Sequence, residues 1–143
     1  ARRYRLLLHF HTSEPVGHSY AGKGAVTPEV IFRFISLFPD QPVVCAHWGG
    51  GLPFYALMPE VSAALKNTYF DSAATPFLYR PQVFRQVIDL VGVDKVLFGS
   101  DFPLMSPQRP ISQLRSLALP AQTEAAILGN NALRLLGLTP KSR

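Results

Sequence analysis

His11, His47, Asp71 and Asp101 are residues of the types that bind divalent metals or move protons. Each stands at the C-terminal end of a short apolar run that reads as a buried strand, at 5–11, 42–47, 68–71 and 95–99. In a parallel α/β fold that edge of the sheet carries the active site. Imidazole and carboxylate suit Zn²⁺, Mn²⁺ or Fe²⁺, and a metal so held acidifies water and polarises a carbonyl. His11 and Asp101 are expected as metal ligands, with Asp101 also accepting a proton. His47 is expected as a second ligand or as a general acid/base, since histidine exchanges protons near neutrality. The competing reading for any single strand-end histidine is an ordinary hydrogen bond. Asp71 reads more simply as a cap on the following turn, through Ser72 or Thr75.

Other residues around these are secondary candidates. His9 lies two positions before His11, on the same face of the strand, which is a chelating spacing. It is expected one layer deeper, as a packed and hydrogen-bonded interior histidine. Glu14, His18 and Lys23 fall on the long loop after the first strand, where substrate contacts commonly arise. Glu14, His18 and Trp48 are the candidate substrate-binding residues, although Trp48 reads equally well as core. Cys45, inside a strand, reads as a buried and inert thiol. Gly49–Gly51 is not a phosphate loop, because no Lys-Ser/Thr follows it.

Helical segments separate the strands. Thr27 is an expected N-cap with Pro28 at the first helical position. Ile31, Phe34, Ile35 and Phe38 follow at helical spacing, and Pro39-Asp40 stops the run. Phe54, Leu57, Met58, Val61 and Leu65 predict a helix kinked at Pro59. Val83, Phe84, Val87, Ile88 and Val91 share one face of a helix over 81–91. Helices over 111–117 and 123–136 close the chain, the second interrupted at Gly129 and capped by Gly137. Val43–Ala46 is too apolar for a half-exposed strand and suits a parallel sheet covered on both faces. Strand and helix alternate through four units with no linker, so a single α/β domain spanning 1–143 is expected. An eight-unit barrel takes about 250 residues, which makes this a partial (β/α)8 TIM barrel. A small doubly wound sheet is the alternative.

Composition bounds the function classes. Of 143 residues, 48% are hydrophobic and 16% charged, which excludes a disordered chain. No apolar run approaches the roughly 20 residues that span a bilayer, so no membrane association is expected. The basic start before Leu6–Leu8 is not a signal peptide, since the apolar run stops at His9 with no small-residue cleavage site. The chain opens on Ala1 almost directly inside a strand, as expected if its earlier part is missing. One cysteine allows no internal disulfide and fits a cytoplasmic setting. The net charge of +5 comes from scattered residues, so nucleic acid is not an expected partner. A basic balance does suit carboxylate-bearing substrates.

Five stretches carry a resemblance: LLLHFHTSEPVGH, VVCAHWGGGLPFY, NTYFDSAA, VLFGSDFPL and ILGNNALRLLGL. Together they resemble the amidohydrolase-related metal-dependent hydrolases, the family that includes aminocarboxymuconate semialdehyde decarboxylase-like enzymes. Their order matches strands five to eight and the closing helix of that family, so the resemblance covers essentially the whole chain. It implies His11 as the strand-five metal ligand and Asp101 as the strand-eight aspartate, which ligates metal and handles the proton of its water. It implies His47 as the strand-six histidine, an acid/base in single-metal members and a ligand in two-metal ones. The family's first-strand HxH ligands have no counterpart here, because His9-Phe10-His11 belongs to the fifth strand. The expected cofactor is a divalent metal, zinc first, with manganese or iron as alternatives. The expected activity is hydrolysis of a C–N or C–O bond in a small molecule. The alternatives are non-oxidative decarboxylation of a small carboxylic acid and a non-catalytic half-barrel module. A half-barrel leaves edge strands open, so a homo-oligomer or pairing with a complementary half-barrel is expected.

Overall fold

The computed structural model describes residues 2–4 and 6–138. Strands β1 (Leu8–Phe10), β2 (Val43–Cys45), β3 (Thr68–Asp71) and β4 (Val96–Leu97) form one parallel sheet in chain order. Parallel neighbours need a crossover, and helices supply it. These are α1 (Pro28–Leu37), α2 (Pro59–Ala64) and α3 (Val83–Val91). After β4 come α4 (Gln108–Arg115), α5 (Ala121–Ala125) and α6 (Asn131–Leu135). The architecture is that of a partial barrel, with β1 and β4 as open edges. The first strand is shorter than the expected 5–11, and Arg5 lies outside the described residues. Among the described residues no helix is long and apolar enough to cross a membrane.

The register explains which side chains face the helices. Phe10, Cys45, Phe70 and Val96 form one row across all four strands. That row packs into the core under the helices, where Ile31 and Ile35 of α1 and Phe84 and Val87 of α3 join it. Successive strand residues alternate faces, so His9, Val44 and Tyr69 lie on the opposite face. Asp71 lies on that face too, two residues beyond Tyr69 on β3. This is the face that meets the barrel interior.

One helical expectation needs correction. Residues 54–65 do not form one kinked helix. A 3-10 turn over Leu52–Leu57 ends at Met58, whose backbone is extended, and α2 then starts with Pro59 at its first position. The helix over 123–136 is interrupted around Gly129 as expected, by a wider turn at Ala126–Asn130. That turn lets the Ile127 carbonyl accept from the Phe98 N–H. Asn131, fully buried, donates to the Val93 and Val96 carbonyls. The closing helix therefore holds β4 in place. Gly137 ends it as expected, in a left-handed conformation with its N–H on the Arg134 carbonyl.

Cys45 is buried as its place in the strand predicts. Burial, with the Asp71 charge as a lesser cause, pushes its thiol from 9.0 to about 12. A rise of that size cuts the thiolate fraction near neutrality by about a thousandfold. Thiol–disulfide exchange with Ellman's reagent is expected to be slower by at least that factor in the native chain than in urea. Comparable rates in the two states would contradict the burial described.

Candidate functional site

The site is built where the ends of β1 and β2 meet. His11 follows directly on β1, and the next residues tie the two strands together. Thr12 Oγ1 donates to the Ala46 carbonyl. The loop after β1 folds back on itself, with Ser13 N–H on the Val26 carbonyl and Gly24 N–H on Ser13 Oγ. That return brings the Gly22 carbonyl to 3.0 Å from His11 Nε2.

After β2 the backbone turns left-handed for five residues. His47 (φ 54) and Trp48 (φ 57) are followed by Gly49, Gly50 and Gly51, all with positive φ. Gly49 and Gly50 are required by space as well as by φ. A Cβ on Gly50 would lie 2.5 Å from the Ser13 carbonyl oxygen, and one on Gly49 would lie 2.8 Å from the Phe70 ring. His47 and Trp48 adopt the same conformation at a cost of roughly 1–2 kcal/mol each. Both are held by tertiary contacts. Trp48 is fully buried, donates from Nε1 to Thr75 Oγ1 at 2.8 Å and stands edge-on to Phe84. The His47 N–H donates to Asp71 Oδ1 at 3.0 Å. Its ring donates from Nδ1 to the Ala73 carbonyl at 3.1 Å, since a carbonyl can only accept.

The two imidazoles meet at this point. His47 Nε2 lies 3.2 Å from His11 Nδ1. Each ring already spends its other nitrogen as a donor to a carbonyl, Gly22 for His11 and Ala73 for His47. Two neutral rings so held would face each other with lone pairs only. A cation shared by the two nitrogens relieves that opposition, as does a His11 tautomer that carries its proton on Nδ1 and donates to His47 Nε2. Metal-ligating histidines are oriented in this way, with the far N–H on a backbone carbonyl.

Asp101 approaches from the end of β4, in a left-handed conformation (φ 64). Among the described residues its carboxylate accepts no hydrogen bond. It shares two hollows with His11 and His47. One, of about 360 Å³, is walled by His18, Tyr20, Phe77, Leu78 and Leu104. The other, of about 560 Å³, opens toward His9, Asp71, Gly99 and Phe102. Two further hollows on the helical side hold no histidine. The donor types fit a divalent metal, and so does the orientation of the histidine pair. Among the described residues, however, no three His, Cys, Asp or Glu side chains converge as a ligand cluster. His11 and His47 are the pair the fold brings together, and Asp101 stands apart from them on the same wall.

The remaining candidates separate. His18 is on the cavity wall, tilted against Tyr20. Glu14 lines neither hollow. Its Oε2 accepts from Tyr20 at 3.2 Å, and its Oε1 is buried with no hydrogen-bond partner among the described residues. Burial first, and then the nearby Glu14 charge, raise the Tyr79 hydroxyl, while burial raises Tyr20 against an opposing hydrogen bond with Ser13. Trp48 is corrected from candidate substrate contact to core, because its ring is enclosed by α3 and the Thr75 turn. His9 is also corrected. It is not packed in the interior but largely exposed, since among the described residues none encloses its ring. It is hydrogen-bonded as expected, with Nε2 2.8 Å from Asp71 Oδ2. That bond lifts its imidazolium above the ordinary 6.5, against an opposing effect of partial burial.

Asp71 does cap a turn, but through the Ala73 N–H (2.9 Å) rather than Ser72 or Thr75. Sequence reasoning missed its bond to the His47 backbone. The aspartate at a strand end two residues before Ala73 was the available signal. It also missed Tyr20 and Phe77 on the cavity wall, for which no spacing pattern gives a cue.

Comparison with known proteins places this geometry in context. A family model described as amidohydrolase matches residues 1–138. The fold is similar to 5-carboxyvanillate decarboxylase from Sphingomonas paucimobilis (TM-score 0.73, 20% identity), covering 96% of this chain and 51% of that one. It is also similar to a manganese-bound dihydroxybenzoic acid decarboxylase from Polaromonas (TM-score 0.67, 17% identity; 78% and 40% covered). A zinc-bound amidohydrolase from Burkholderia multivorans is a third (TM-score 0.60, 18% identity; 78% and 49% covered). The chain spans between 40% and 51% of the length of these structures. At such identities the likeness establishes the fold.

Proposed function

This chain belongs to the amidohydrolase family, and we propose that His11, His47 and Asp101 are its share of a metal-dependent active site that hydrolyses a C–N or C–O bond of a small substrate. The observation that carries this reading is the His11–His47 contact, in which both rings are oriented by carbonyls and both free nitrogens point at one spot. His11 and Asp101 are the residues that would hold the metal, zinc first, with manganese or iron as alternatives. When bound, such an ion supplies Lewis-acid polarisation and acidifies water.

The chain's own residues do the rest. The Ala73 carbonyl fixes the His47 tautomer, leaving Nε2 as the lone pair that takes a proton and returns it to a leaving group. Asp101, whose carboxylate accepts no hydrogen bond among the described residues, accepts a proton in the same mouth. Tyr20, Phe77, Leu78 and Leu104 form an apolar wall that seats the substrate body and excludes water.

That apolar wall favours a second reading, non-oxidative decarboxylation of a small carboxylic acid, in which His47 would deliver a proton to the carbon that loses CO2. Product analysis separates the two readings. Titrating the native chain with Zn²⁺ and Mn²⁺ by calorimetry tests what they share. We expect one ion per chain, with the ring signals of His11 and His47 shifting together in NMR spectra. A chain that takes up neither ion, or takes one up with both rings unmoved, removes the assignment.

A further inference from the structure

We propose that Asp71 is a positioning residue for His47, working through the turn that joins β3 to Ala73. Nothing in the metal-ligand reading requires this residue, and its place in the sheet explains how it acts. It ends β3 with its side chain almost fully buried. Its Oδ1 accepts two backbone N–H groups, from His47 at 3.0 Å and Ala73 at 2.9 Å. The Ala73 carbonyl in turn holds His47 Nδ1. One carboxylate oxygen therefore controls both ends of His47. It holds the backbone directly, and it holds the ring through Ala73.

This control is needed because of the His47 backbone. A non-glycine residue with φ 54 persists only where its surroundings over-determine it. Without Oδ1, the His47 N–H would be buried and unpaired in an unfavourable conformation, so the backbone would gain by turning away. The ring would then leave the Ala73 carbonyl. The other oxygen, Oδ2, is taken by His9 Nε2 at 2.8 Å. Both oxygens of Asp71 are thus engaged within the fold, and the role proposed for it runs through its neighbours. The inference adds to the proposed function an account of what aims His47. The His47 tautomer can be read in the metal-free chain, so this inference and the metal assignment fail by different signals.

The experiment is long-range ¹H–¹⁵N spectroscopy of the histidine rings, without metal, at a pH above the ordinary imidazole range. In the native chain His47 is expected as a single Nδ1–H tautomer. Asp71→Asn keeps an acceptor oxygen for the two N–H groups and should retain that signature. Asp71→Ala should lose it, giving a tautomer mixture at His47 with the His18 signals unchanged. Asp71→Leu, equal in shape but without an acceptor, should match alanine and serves if the alanine variant does not fold. A folded alanine or leucine variant that keeps the native His47 tautomer overturns the proposal, as does an asparagine variant that loses it. Should neither apolar variant fold, the native chain decides. Scalar coupling across the hydrogen bond from the His47 N–H to the Asp71 carboxyl carbon is expected, and its absence overturns the proposal.

Discussion

The His11→Ala chain is expected to bind Zn²⁺ more than about a hundredfold more weakly than the native chain. Removing a group that merely orients a metal ligand costs about 10- to 100-fold in affinity, and removing a donor nitrogen costs at least the upper end of that range. The native geometry prepares this nitrogen. His11 Nε2 is engaged by Gly22, so Nδ1 is the free donor, and it already faces His47 Nε2. Alanine removes the donor and leaves the loop closure at Ser13, Val26 and Gly24 intact, so the fold survives. His18→Ala is the control. It removes the same residue type from the same cavity wall, at a position where no second histidine faces it, and its affinity should stay within about threefold, roughly 0.6 kcal/mol. Equal losses in the two variants would mean that zinc binds histidines nonspecifically, and the site would have to be abandoned.

Trp48→Ala should cost about 3–5 kcal/mol of stability, measured as a shift in the urea midpoint at constant slope. Small domains have only about 5–15 kcal/mol in total, so this variant approaches unfolding. The ring is fully enclosed, edge-on to Phe84 of α3, and its contacts hold the left-handed turn that carries His47. Trp48→Phe should cost far less. It keeps an aromatic body and loses the indole donor, while Thr75 Oγ1 still donates to the Ser72 carbonyl. The net worth of one such hydrogen bond is about 1 kcal/mol. A loss below 1 kcal/mol in the alanine variant would show that the ring is not the keystone of the turn. An unaltered Zn²⁺ affinity in the phenylalanine variant would agree with its place in the core rather than on the cavity wall.

The fold was legible in the sequence because its cause is periodic. Val43–Ala46 and the four alternating strand and helix units dictate a parallel sheet, and β3 spans the expected residues 68–71. Where local patterns compete with packing, the reading slipped. Met58 breaks a helix that hydrophobic spacing predicted to run through. The interruption at Gly129 was legible, but the bond it makes with Phe98 was not, because helical periodicity cannot reveal that partner. Trp48 follows a candidate site residue in sequence, yet positive φ at both turns it into the core.

The sequence by itself determined which residues stand at the strand ends, because two-residue alternation and strand length place His11, His47, Asp71 and Asp101 at one edge of the sheet. Tertiary structure decided which of them act together. It joined His11 to His47 and left Asp101 apart on the same wall. It also tied Asp71 to the His47 backbone and exposed His9. Those outcomes depend on side-chain direction after the strand ends. There the left-handed backbones of His47 and Asp101 are set by contacts with residues distant in sequence rather than by any local preference. A strand's period carries no information about a turn that only its neighbours can hold.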